Sequence, residues 1–137
     1  MVFEVLGFAD VSKICSKLPY QHLKALTQFF DHAPEVLVSW LRTLTVTRNV
    51  CAHHARLWDR TYSILPKRSK EIPNQISYKS TAEQLSIIHY LLDKIDGASS
   101  WLEDIAIILQ DIEVLAGLKR MGFRNSNTST DNYYKVV

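Results

Sequence analysis

The chain has 137 residues, of which 47% are hydrophobic and 22% are charged, with only four glycines and four prolines. This length fits one folded domain with a real core, and the composition excludes collagen-like and disordered chains. A membrane-spanning helix needs roughly 18 consecutive apolar residues. The most apolar stretch is interrupted by Gln110, Asp111 and Glu113, so we expect a soluble protein with no membrane partner.

The net charge of +2 is unevenly divided along the chain. Residues 41–70 contain seven basic residues and one acidic residue, a net charge of +6. Residues 81–115 contain seven acidic residues and one basic residue, a net charge of −6. Such a division is typical of solvated surfaces, but it also suits phosphate binding on one side or self-association.

Cysteine content and the N-terminus predict a cytoplasmic protein. Cys15 and Cys51 are too few for a disulfide framework and do not form a Cys-x-x-Cys pair, which favours a reducing compartment. Residues 1–6 lack the basic start and small-residue cleavage site of a signal peptide. They resemble the end of a helix, so we expect the chain to be the C-terminal part of a longer protein.

The apolar spacing predicts helices along most of the chain. Asp10 is predicted to cap a short helix, and Pro19 to open a second one that ends near Phe30. Pro34 suits the first turn of a long helix, where its missing N–H would have no partner in any case. Because neither glycine nor proline interrupts the following residues, this helix is predicted to run over about 34–60.

A change of pattern follows the long helix. Residues 61–79 contain two prolines and no sustained period, which predicts an irregular basic connection. Ser80 and Glu83 then form a predicted capping box for a helix over about 81–95, which Gly97 ends.

The end of the chain repeats this helix start and then becomes polar. Ser100 and Glu103 form a second predicted capping box, for a helix over about 101–118. Residues 124–137 are predicted to be a flexible polar tail. Strand signals are nearly absent, so the predicted fold class is all-α, with a single helical domain over residues 1–123.

The predicted long helix has one apolar and one polar arc when its residues are advanced by about 100° each. The apolar arc contains Trp40, Leu44, Thr47, Val50, Cys51, His54, Leu57 and Trp58. The polar arc contains Arg42, Thr45, Arg48, Asn49, Ala52, His53, Arg56 and Arg60. A helix face with four guanidinium groups and one imidazole is suited to binding an anion.

The two adjacent histidines are separated by this pattern. His54 is expected to be buried between Val50 and Leu57 as a structural residue. His53 is expected on the polar face, where an imidazole suits proton transfer near neutral pH, the alternative being a plain surface histidine. No metal site is predicted, because adjacent helical residues point about 100° apart and no second Cys or His pair completes a ligand set.

Residues 48–58, Arg-Asn-Val-Cys-Ala-His-His-Ala-Arg-Leu-Trp, resemble the signature of the Abi-like (abortive infection, AbiD/AbiF type) bacterial proteins. Within them, Arg48, Asn49 and His53 also resemble the Arg-x(4–6)-His motif of the HEPN superfamily of helical ribonucleases. The resemblance extends upstream to residues 4–12 and downstream to Met121-Gly122-Phe123.

The resemblance implies a HEPN-like helical bundle and a metal-independent endoribonuclease, acting in phage defence or as a toxin, with no cofactor. The RNA 2′-OH would attack the adjacent phosphate and leave a 2′,3′-cyclic phosphate. His53 would be the general acid or base, Arg48 would bind the phosphate, and Asn49 would orient His53 or contact the phosphate. His54 is the alternative catalytic histidine. Six basic residues would follow the RNA backbone, namely Arg42, Arg56, Arg60, Lys67, Arg68 and Lys70.

The resemblance also implies partners. HEPN sites combine two motifs and this chain has one, so we expect a homodimer through the long helix, near residues 48–56. An antitoxin or a separate N-terminal domain is a further expected partner. The alternative function is a non-catalytic RNA- or protein-binding helical module of a defence system.

Overall fold

The computed structural model describes residues 6–72, 76–97, 100–110 and 115–123. Within these ranges the helices are α1 (Phe8–Lys17), α2 (Tyr20–Phe29), α3 (Pro34–Ala52), α4 (Thr81–Asp96), α5 (Trp101–Gln110) and α6 (Leu115–Met121). The predicted all-α fold class is confirmed, since the β pairing found among the described residues is an isolated bridge between Ile76 and Phe123. None of the described helices combines the length and the apolarity that crossing a membrane requires.

The chain divides into two compact units. Unit 1 contains Met1–Ala55 and Ile64–Ser69, and unit 2 contains Arg56–Ser63 and Lys70–Val137. The single domain over residues 1–123 stays a prediction.

Glycine and proline set the helix starts in unit 1. Gly7 is the N-cap of α1, and Asp10 lies in the first turn, so the predicted Asp10 cap is wrong. Pro19 is the N-cap of α2, as predicted. Pro34 occupies the first turn of α3, where its lack of an N–H costs no hydrogen bond.

The core of unit 1 lies along α3, against which α1 and α2 both pack. Its buried residues recur at intervals of three or four, namely Pro34, Leu37, Trp40, Thr43, Leu44, Thr47 and Val50. Trp40 has no exposed surface, and the ring of His32 meets it edge-on at a centroid distance of 4.5 Å. Because truncating such a ring to alanine costs about 3–5 kcal/mol, Trp40 is a main anchor of this unit.

The C-terminal end of α3 differs from the prediction: the helix stops well before residue 60. The backbone N–H of His54 donates to the carbonyl oxygen of Cys51 at 3.0 Å, and that of Ala55 to Val50 at 2.9 Å. These two bonds are those of a Schellman motif. His54 supplies its left-handed residue, at φ 50°, where glycine is usual. The sequence therefore carried no ordinary stop signal.

Helix α4 of unit 2 is capped as predicted. The N–H of Glu83 donates to Ser80 Oγ at 3.2 Å, and the N–H of Lys79 donates to Glu83 Oε2 at 2.8 Å. In a standard capping box the glutamate accepts from the N–H of the N-cap residue, which here would be Ser80. In this helix it accepts instead from the N–H of Lys79, the residue before the N-cap. Gly97 ends the helix in the left-handed region, at φ 49°.

The core of unit 2 depends on the short element around Gly122. The buried cluster contains Ile76, Ala82, Leu118, Met121 and Phe123, with Trp58, Leu85 and Ile105 packed against it. Gly122 has φ 105°, and a Cβ at this position would collide with the Ser80 side chain. Its carbonyl oxygen accepts a hydrogen bond from the N–H of Ser77 at 2.7 Å. The glycine thus permits the close approach of two backbone segments.

The remaining predicted elements are found where they are described. Helices α5 and α6 lie at the predicted 101–118 helix, with residues 111–114 outside the described ranges. The connection over residues 61–79 contains no helix where it is described, which confirms it as irregular. The predicted tail over residues 124–137 lies outside the described residues.

Candidate functional site

Two candidate residues lie exposed on the last turns of α3. Arg48 and Asn49 face solvent, while Thr47 and Val50 on the same turns are buried and hold the helix in place. The Nη1 atom of Arg48 donates a hydrogen bond to Asn49 Oδ1 at 3.3 Å. This contact links Asn49 to the guanidinium group, whereas the sequence had linked it to His53 or a phosphate.

The two histidines follow at the end of the helix. His53 is the C-cap of α3, and its N–H donates to the carbonyl oxygen of Asn49 at 3.0 Å. His54 is the next residue, in the left-handed conformation. Both histidines are exposed, so the expectation that His54 is buried is wrong. Its burial between Val50 and Leu57 was predicted for a helix that continues through these residues, whereas α3 ends at Ala52.

The basic segment 64–69 is fixed beside the first half of α3. Trp40 Nε1 donates to the carbonyl oxygen of Lys67 at 2.9 Å. The N–H of Lys67 donates to Ser39 Oγ at 2.8 Å, and Ser39 Oγ lies 3.4 Å from the carbonyl oxygen of Leu65. Since Trp40 precedes His53 by thirteen residues, the backbone of Lys67 is held about 20 Å along the helix from the histidines.

Charge in unit 1 is concentrated in exposed basic side chains. Arg42, Arg48, Lys67 and Arg68 are all exposed. In the described part of the chain, Arg42 and Arg48 form no ion pair with a carboxylate. Both guanidinium groups are therefore accessible to an anionic ligand.

The other three predicted RNA-binding residues belong to unit 2. Arg56 is exposed, and Arg60 is half-buried with its Nη1 atom 3.4 Å from the carbonyl oxygen of Arg56. Lys70 forms an ion pair with Glu71 at 3.7 Å. The prediction that Arg56 and Arg60 lie on the polar arc of the long helix is wrong, because α3 ends before them.

The family comparison covers the helices that carry these residues. Residues 1–59 match the family model described as Abi-like protein. Over these residues, which we call the Abi-like segment, the chain is similar to that family. The match spans all of α1, α2 and α3 and the whole of the 48–58 signature, so the predicted resemblance to this family is confirmed there. It supports a role in abortive infection or phage defence.

Neither a curated protein nor a solved structure matches the chain.

The Abi-like segment also contributes the exposed Cys51, one residue before the end of α3. Across the described residues, no group of three or more His, Cys, Asp and Glu side chains is arranged to hold a metal ion. Burial raises the pKa of the Cys15 thiol on α1, which its own backbone hydrogen bond partly opposes.

The Abi-like segment also lines an open cleft that the sequence did not indicate. Its volume is about 410 Å³, and it lies between the start of α2, the first half of α3 and residues 64–65. Tyr20, Glu35 and Arg42 supply its aromatic ring, carboxylate and cation. Of these, the sequence had singled out Arg42. Tyr20 could have been noticed as a large aromatic directly after Pro19, but its exposure is a tertiary property.

Proposed function

We propose that the protein is a metal-independent endoribonuclease of the HEPN type that acts in abortive infection or as a toxin. The observation that carries this proposal is the exposed set of Arg48, Asn49 and His53 at the end of α3, within the Abi-like segment. An imidazole and an exposed guanidinium group at a helix end supply the two kinds of group that phosphodiester cleavage needs.

The proposed reaction is an internal transfer of the phosphate. A general base removes the proton of the RNA 2′-OH, and the 2′ oxygen attacks the neighbouring phosphorus. As the new P–O2′ bond forms, the P–O5′ bond breaks, and a general acid donates a proton to the leaving 5′ oxygen. The products are a 2′,3′-cyclic phosphate and a 5′-hydroxyl. His53 supplies one of these proton transfers.

Arg48 stabilises the charge that accumulates on the phosphate oxygens in the transition state. Asn49 positions this guanidinium group through the hydrogen bond from Arg48 Nη1 to its Oδ1 atom. An oriented guanidinium loses less side-chain freedom on binding, and its two N–H groups fit a phosphate in a fixed direction.

The two proton transfers require one group that accepts a proton and one that donates a proton. One motif per chain makes a homodimer the simplest source, with one His53 acting as base and the other as acid. The exposed His54 is the second candidate for either role. Basic residues contact the RNA backbone through charge, namely Arg42, Lys67 and Arg68 of unit 1 and Arg56, Arg60 and Lys70 of unit 2.

The experiment is cleavage of structured cellular RNA in excess EDTA. Wild type is expected to give 2′,3′-cyclic phosphate ends. His53→Ala is expected to lower the rate about 10²–10⁴-fold, and Arg48→Ala about 10²–10³-fold. The controls are His22→Ala and Arg120→Ala, which remove an exposed histidine of α2 and an exposed arginine of α6. Both are expected to cut at the wild-type rate.

Two results would contradict the proposal. If wild type binds RNA but does not cut it, the protein is the non-catalytic RNA-binding module instead. If His53→Ala cuts at the wild-type rate, His53 has no part in the chemistry. His54→Gly then tests the second histidine, because glycine preserves the left-handed backbone at that position while removing the imidazole.

A further inference from the structure

The cleft of unit 1 combines a ring, a carboxylate and a cation with an apolar lining. Tyr20, Glu35 and Arg42 line it together with Leu23, Val38, Ile64 and Leu65. Its volume of about 410 Å³ is within the range of small-molecule pockets. We infer that this cleft binds one guanine nucleotide of the RNA substrate and so determines where the strand is cut, an inference that rests on the proposed nuclease function.

Positive charge marks the phosphate end of the cleft. Arg42 lies one turn after Ser39 on the same face of α3, and both line the cleft. The Ser39 hydroxyl holds the backbone N–H of Lys67 at 2.8 Å, which keeps a second exposed basic residue beside this turn. Within the described ranges no carboxylate neutralises Arg42, so its guanidinium group is available to a phosphate.

The opposite end of the cleft carries a carboxylate. Glu35 precedes Arg42 by seven residues on the same face of α3, which places the two about 10 Å apart along the helix axis. A carboxylate repels phosphate but accepts two parallel N–H bonds. Guanine presents two adjacent donors, N1–H and N2–H, on its Watson–Crick edge, while the other three RNA bases present one. Glu35 therefore favours guanine.

Tyr20 supplies an aromatic surface to the cleft. It is the first residue of α2, and 64% of its surface is exposed although it lines the cleft. Aromatic side chains of this kind bind single-stranded RNA by stacking on its bases. The apolar side chains of the cleft can cover the other face of the base.

The position of the cleft relative to Arg48 sets the expected cutting pattern. Arg42 precedes Arg48 by six residues, about 9 Å along α3. One or two nucleotides of an extended strand cover this distance. We therefore expect guanine at a fixed position one or two nucleotides from the cleaved bond, and no fixed base at the bond itself.

The first test is cleavage of a randomised RNA library, with the ends of the products sequenced. Wild type is expected to show guanine enrichment at one position, and Glu35→Gln to reduce that enrichment about tenfold. In cleavage of a single RNA substrate that contains guanine, Tyr20→Ala is expected to raise the KM for this RNA about tenfold, because the stacking ring is lost. The controls are Asp10→Asn, an exposed acid in the first turn of α1, and Phe29→Ala, an exposed aromatic of α2 outside the cleft. Both are expected to keep the wild-type pattern.

The second test does not depend on cleavage. Saturation-transfer NMR compares the binding of guanosine and uridine 5′-monophosphates to wild type and to Glu35→Gln. A preference for guanosine that Glu35→Gln removes would support the cleft assignment, even if wild type cuts no RNA and the nuclease proposal fails. Cleavage without any base preference, together with equal binding of the two nucleotides, would overturn the cleft assignment and leave the nuclease proposal intact.

Discussion

The backbone N–H of His54 donates to the carbonyl oxygen of Cys51 at 3.0 Å, with His54 itself in the left-handed conformation at φ 50°. This bond and its neighbour from Ala55 to Val50 end α3 immediately after His53. The residue that terminates the helix therefore lies within the motif that carries the candidate chemistry. A histidine at this position makes the backbone geometry of the site testable by a single substitution.

Replacing His54 by glycine is expected to raise the free energy of unfolding by about 0.5–1 kcal/mol, because glycine adopts a left-handed conformation without strain. The imidazole is exposed, so little packing is lost. Urea denaturation measures the change. The matched control is Ala52→Gly, at the last helical position, which should lower stability by about 1 kcal/mol. Equal losses in both variants would show that His54 is unstrained.

Asn49→Ala is expected to lower RNA cleavage about fivefold, because it removes the hydrogen bond that holds the Arg48 guanidinium group. In an Arg48→Ala background the same substitution should have no further effect, since its partner is already gone. The double-mutant cycle is read from kcat/KM. Additive losses would mean that Asn49 acts independently of Arg48, as a direct phosphate or His53 contact would.

Gly122→Ala is expected to destabilise unit 2 by about 2–4 kcal/mol, combining backbone strain at φ 105° with a collision against Ser80. Gly97→Ala is the control, since it also has a positive φ but no atom within 4 Å of the added Cβ. It should cost about 1 kcal/mol. Thermal unfolding followed by circular dichroism compares the two variants. Similar losses of stability in the two variants would show that the close approach at Gly122 adds nothing to the cost of its positive φ.

A homodimer is expected in solution, because each chain carries one copy of the motif. Light scattering after size exclusion should give about twice the mass of one 15.8 kDa chain at micromolar concentration. The +6 charge of residues 41–70 opposes association through this region, so the dimer should strengthen as salt screens the repulsion. A monomer at every salt concentration would exclude a site assembled from two free chains.

The two cysteines are expected to react at very different rates. Cys51 is exposed, whereas Cys15 is buried, and burial raises the pKa of the Cys15 thiol above its ordinary value. The folded state therefore keeps the Cys15 thiol protonated at a pH where the same thiol ionises in the unfolded chain. As a result, the free energy of unfolding declines as the pH rises above about 9. Iodoacetamide at pH 8 should label one thiol rapidly in wild type and none in Cys51→Ser. Rapid labelling of Cys51→Ser would show that Cys15 is accessible.

The starts of α3 and α4 were predictable from the sequence, whereas that of α1 was not. Pro34 and Ser80 act through their own backbone or side chain, so their effect can be read from the residues themselves. The end of α3 was not predictable in this way. Histidine is not a usual stop signal, and the Schellman hydrogen bonds that end the helix belong to the folded backbone.

For the candidate site, the sequence identified the motif but not the surroundings of its residues. Exposure of Arg48 and Asn49 followed from the helical period, because Thr47 and Val50 occupy the opposite face. The helical period did not predict that His54 is exposed or that Arg56 and Arg60 belong to unit 2. The reason is that the predicted helix continued to about residue 60, past the end of α3. The cleft is not apparent from the sequence, because Tyr20, Glu35 and Ile64 are far apart along the chain.

The sequence by itself determined the helical fold class, the basic 41–70 segment and the resemblance to the Abi-like family, because periodicity, charge and motif spacing are local properties of the chain. Only the tertiary structure decided which of the motif's groups are exposed together and where α3 ends. It also decided that Trp40 and Ser39 hold the Lys67 backbone beside the cleft. The physical reason is that burial and long-range hydrogen bonds depend on residues that meet only when the chain is folded.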